Sequence, residues 1–145
     1  MWTAEAVLVC ALTMLGRAER SFPPIELVSR IPVAVSAGVE AYVRRDDPRI
    51  YLVTTSATFQ DAQASLDRCG NLMAIRKIAS VLIHEEVHLR QGLGEKAAYE
   101  AQLTILTALG AGPGSPPYSA VQKAMFYTLK HQRQNAARLM AAAQP

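Results

Sequence analysis

An α+β fold with a small antiparallel sheet is the expectation from this sequence, and three observations carry it. Two short runs rich in β-branched and aromatic residues flank a polar turn within residues 39–55. Apolar residues recur at helical spacing in longer stretches on either side of them. Glycine and proline clusters fall between those stretches rather than inside them. At 145 residues the chain fits one domain over 1–145, large enough to bury a core without staples.

The elements follow in order. Thr3 can cap a helix running to about Arg20, where Ser21, Phe22, Pro23 and Pro24 stop it. Its apolar run, residues 6–15, is preceded by Glu5 and by no basic residue, unlike a signal peptide. A run of about ten residues is too short to cross a bilayer. It therefore reads as a core helix of a cytoplasmic protein with no membrane span. A short helix is expected over 25–30, ending before Pro32. Residues 39–43 and 50–55 read as a β-hairpin around the polar turn of Arg44, Arg45, Asp46, Asp47, Pro48 and Arg49.

Beyond Thr58 the helical signal returns. Asn71 can cap a long helix from Leu72 to about Gln91, with Leu72, Ile75, Ala79, Leu82, Ile83 and Val87 on one wide face. Gly92 and Gly94 break it. Another helix is expected over 95–109 and a last one over 119–143. Between these lies the clearest loop of the chain, residues 110–117, which lacks the Gly-Lys-Ser/Thr ending of a phosphate loop. The last helix carries enough apolar residues to cover the core or to mediate self-association, so the oligomeric state stays open.

Charge narrows the partners. Fifteen Lys and Arg against twelve Asp and Glu give +3, and the basic residues are scattered without interleaved aromatics. Nucleic acid is not an expected partner. Cys10 and Cys69 form no CxxC pair, so a cysteine zinc cluster is excluded. The favoured reading of the two is free, buried thiols, with a disulfide expected only of an exported protein.

The chemistry lies in His84-Glu85-Glu86-Val87-His88. On a helix, residues four apart stand about 40° apart and one turn above each other. Two imidazoles so placed can converge on one cation. Glu85 is then positioned to take a proton from water beside that cation. With this composition a chance match is expected in only about 0.3% of such chains. Both histidines lie away from the apolar face, toward a cleft. Glu86 is expected to pair with Arg90 four residues on.

A catalytic zinc site needs a third protein ligand. Helical angles favour Glu95, which shares an inward face with Ala98, Tyr99, Gln102, Leu106 and Leu109. Glu100 points away beside Thr104 and Thr107 and stands as the alternative. The metal expected at His84, His88 and Glu95 is Zn²⁺, because two imidazoles and a carboxylate suit it.

His84-Glu85-x-x-His88, a glycine turn, then Glu95-x-x-Ala98-Tyr99 resembles the gluzincin group of zinc metallopeptidases. The likeness is nearest to the minimal-gluzincin domains and small bacterial metallopeptidase-like proteins, and spans residues 39–110. Glu95 follows His88 more closely than in the large members of the group. The resemblance implies a zincin-like fold, with a sheet packed on an active-site helix and two or three further helices. It implies a peptide or protein substrate held along the sheet's edge strand, with the 50–55 strand at the matching place. It also implies an oxyanion stabiliser, for which His131, and after it Tyr99, Tyr118 and Tyr127, are candidates that spacing does not separate. The expected activity is metallopeptidase, with Glu85 as general base; the alternative is a catalytically silent, zinc-stabilised protein-binding module.

Overall fold

The structure is a computed structural model and describes residues 1–33, 35, 38–92 and 94–143. Helix α1 (Ala4–Met14) opens the chain. It is capped by Thr3, whose hydroxyl accepts from the Ala6 N–H at 3.1 Å. Val7, Leu8, Cys10, Ala11 and Leu12 turn inward, so the apolar run is a core helix. It stops six residues short of the expected Arg20, because Gly16 takes a left-handed turn (φ 68°). A short 3₁₀ turn, Glu19–Ser21, follows.

Next come three strands: β1 (Ile25–Val28), β2 (Ala41–Val43) and β3 (Ile50–Val53). The hairpin of β2 and β3 is antiparallel as expected, pairing Tyr42 with Tyr51 and Val43 with Ile50. Its turn is held by Asp47, whose carboxylate accepts from the Arg49 N–H at 3.0 Å and the Tyr51 hydroxyl at 2.5 Å. The expected short helix at 25–30 is instead strand β1, paired parallel to β3 with Ile25 beside Ile50 and Val28 beside Val53. The seven residues between Pro24 and Pro32 make at most a marginal helix, and the free edge of β3 offers hydrogen bonds. The sheet is therefore mixed, not antiparallel, in the order β1-β3-β2.

The hydrophobic period of two shows in β3. Ile50 and Leu52 face the helices, whereas Tyr51 and Val53 face a second cluster on the far side, where Tyr42 stacks on Tyr51 at 5.0 Å. Four helices follow: α2 (Ala57–Gln63), α3 (Leu72–Gln91), α4 (Glu95–Ala108) and α5 (Pro116–Ala143). Helix α3 is the centre of the fold. Its Ile75, Ile78, Ala79 and Leu82 pack against α1, α2 and the inner face of the sheet. Among the described residues the result is an α+β architecture with five α-helices and a small sheet.

Cys10 and Cys69 are joined in a disulfide, and the expectation of free thiols is corrected. The reason is tertiary. The turn before α3 lies against α1, where the Trp2 and Gln63 backbones also meet at 3.0 Å. No helix of the described residues is long and apolar enough to cross a membrane.

Candidate metal centre

Two helix ends build the site. Asn71 caps α3 with its side-chain oxygen on the Ala74 N–H at 3.2 Å. Gly92 ends α3 in the left-handed region at φ 61°, where glycine is unstrained. The chain turns at once into α4, which packs along α3. That short turn makes Glu95 the first residue of α4 and brings it beside the last turns of α3.

Three donor atoms converge there. Nε2 of His84 and Nε2 of His88 lie 3.2 Å apart, and Oε1 of Glu95 is 3.5 Å from the first. The same oxygen contacts Nε2 of His88 directly. Zinc binds such atoms at about 2.0–2.1 Å, which puts tetrahedral ligands about 3.3 Å apart. The donor set and the two spacings from His84 therefore suit a small tetrahedral cation, and His84, His88 and Glu95 could hold one. Glu100, the alternative ligand, is exposed on the outer side of α4 within 3.9 Å of Lys96.

Behind the donors lies a buried polar chain. Nδ1 of His84 is 2.9 Å from Oε1 of Gln102. Gln102 Nε2 donates to the Ser80 hydroxyl at 3.2 Å, and that hydroxyl donates to the Lys77 carbonyl at 2.7 Å. Neither Gln102 nor Ser80 was singled out from sequence as a site residue. The available signal was a glutamine on the inward face of α4, in register with Glu95 and Leu106. The ring of Tyr99 meets the His84 ring edge-on at 4.5 Å.

These groups open on a cleft of about 610 Å³. Lys77, Val81, His84, Glu85 and His88 line its α3 side, and α4 adds Glu95, Tyr99 and Gln102; β2 with the residues just before it, and α5, complete the wall. The strand at this border is β2, an edge strand, while 50–53 is the central strand of the sheet. The strand bordering the cleft is thus β2 and not, as expected, 50–55. Burial pushes the Glu85 carboxyl up to about 7, against the pull of His84 and then His88. Glu95 goes the other way, to about 2, because it sits against the imidazoles of His84 and then His88.

No protein-family profile, curated protein or solved structure matches this chain. The site is thus defined by its own atoms. Of the four candidates for an oxyanion partner, only Tyr99 lines the cleft, with its hydroxyl 3.2 Å from Thr128. Tyr118 packs against the Leu106 and Val121 cluster. Tyr127 and His131 stack on each other at 5.9 Å on the exposed part of α5. Glu86 does pair with Arg90, at 3.4 Å, but its nearer partner is Arg17 at 2.7 Å, on the far side of α3 from the cleft.

Proposed function

We propose that this chain is a zinc-dependent metallopeptidase of gluzincin type, with a zincin-like fold formed as one domain. The observation that carries the reading is the convergence of His84, His88 and Glu95 from two helices, with the buried Glu85 carboxyl lining the same cleft. Two imidazoles and one carboxylate, all on rigid helices, are a donor set that suits zinc. When bound, the ion supplies Lewis acidity toward a peptide carbonyl and a water.

The chain's own residues supply the rest. Glu85 takes the proton of the attacking water and hands it to the departing amine. Its high proton affinity suits a group that must first accept and then release a proton near neutral pH. The edge of β2 offers main-chain hydrogen bonds to an extended peptide lying along the cleft. Tyr99, whose ring meets that of His84, lines the same cleft and is the candidate donor to an oxyanion.

Elemental analysis of purified wild type and His84→Ala tests the metal. About one zinc per chain in the wild type and none in the variant is the expected pair of results. Glu85→Gln is expected to keep the zinc and lose turnover on a peptide library by at least about 100-fold. A wild type that stays metal-free after zinc is supplied sinks the reading. Zinc uptake with no cleavage of any peptide would instead identify a zinc-stabilised binding module.

A further inference from the structure

A neutral imidazole carries one ring hydrogen, and only the nitrogen without it can ligate a cation. Nε2 is the nitrogen of His84 that faces His88 and Glu95. The hydrogen must therefore sit on Nδ1, and that nitrogen faces Gln102. A glutamine side chain can present either its oxygen or its NH₂ group, and the two choices give opposite tautomers. Something must select between them.

The selection can be followed atom by atom. Ser80 has one hydroxyl hydrogen and donates it to the Lys77 carbonyl at 2.7 Å. Toward Gln102 it then presents only lone pairs, so the NH₂ group of Gln102 must face it, at 3.2 Å. That leaves Oε1 of Gln102 to face Nδ1 of His84 at 2.9 Å and to accept its hydrogen. Ser80 is 0% and Gln102 4% exposed, so bulk water is not at hand to substitute for a missing partner. An amide in this position also avoids a further buried carboxylate beside Glu85 and Glu95.

We propose that Ser80 and Gln102 form a tautomer lock: they hold His84 with its hydrogen on Nδ1 and its Nε2 lone pair aimed into the cleft, and so set the affinity for the cation. Both are positioning residues acting through His84. The effect on affinity rests on the zinc reading above; the tautomer itself does not, because it is a property of the metal-free protein. Flipping the amide would move the ring hydrogen to Nε2 and place it among the other two donors.

The test is ¹⁵N NMR of the His84 ring in metal-free protein at about pH 8, with zinc affinity measured in parallel against a competing chelator. Wild type is expected in the Nδ1–H form. Gln102→Met, close in volume but without the acceptor, and Ser80→Ala are expected to populate the Nε2–H form. Each should weaken zinc binding by about 10–100-fold. Gln102→Glu, which restores an acceptor, should return His84 to the Nδ1–H form. An Nε2–H wild type, or a Gln102→Met variant with an unchanged tautomer, overturns the lock. A wild type in the Nδ1–H form that takes up no zinc upholds the lock and overturns the zinc reading instead.

Discussion

Glu85 and Glu95 share one cleft, yet their proton affinities move apart, to about 7 and about 2. Glu85 is 8% exposed and is raised chiefly by burial. Glu95 begins a helix and meets both histidines, so its charge is welcome. The stability of the metal-free protein should follow. A raised folded pKa means that the folded state keeps a proton the unfolded chain has lost, so Glu85 lowers stability as pH rises from about 4.5 to about 7. That shift corresponds to about 3 kcal/mol. Glu95 acts with the opposite sign, adding stability that is lost as pH falls from about 4.5 to about 2. Urea denaturation of metal-free protein at intervals across this range should show the upper loss shrink in Glu85→Gln while the acid-side loss remains. A variant with the wild-type profile above pH 4.5 would remove Glu85 as its cause.

Helix α3 shows how local signals become a site. Its cap, its apolar face and its glycine stop are all visible in the sequence, because each acts within a few residues. Asn71 and Gly92 mark its ends. Asn71→Ala should cost about 1 kcal/mol by leaving the Ala74 N–H without its acceptor. Gly92→Ala should cost about 1 kcal/mol through the left-handed backbone alone, since a Cβ there meets nothing within 4 Å. Shifts in the denaturation midpoint read both. A neutral Gly92→Ala would mean that the turn into α4 relaxes freely, and the position of Glu95 with it. Strand β1 is the contrary case. Residues 25–28 carry no strong period of their own, and only pairing with β3 makes them a strand.

Across the molecule, the Cys10–Cys69 bond ties α1 to the turn that precedes α3, over a sequence separation of 59 residues. Cross-linking a loop of that length removes unfolded-chain entropy worth about 4 kcal/mol in the chain-entropy treatment. Reduction, or a Cys10→Ser, Cys69→Ser double variant, should therefore lower the thermal midpoint markedly, with the oxidised protein as reference. Equal midpoints would show that the packing of α1 on α3 already holds these segments together. The Arg17 and Glu86 pair spans a similar distance in sequence. It joins the segment after α1 to α3 through two contacts of 2.9 and 2.7 Å.

By itself, the sequence determined α1, α3, α4 and α5, the hairpin, the placing of His84 beside His88 and the placing of Glu95, rather than Glu100, next to them. Each of these depends on spacing along one element or across one short turn, where a few backbone angles fix the geometry. Only the tertiary structure decided the parallel strand β1, the disulfide, the edge position of β2, the partnership of Arg17 with Glu86 and the Ser80–Gln102 chain behind His84. Those depend on which elements meet, and that is set by the burial of many side chains at once. A hydrogen bond between residues 84 and 102 leaves no period in the sequence, because its geometry exists only after α4 has packed on α3.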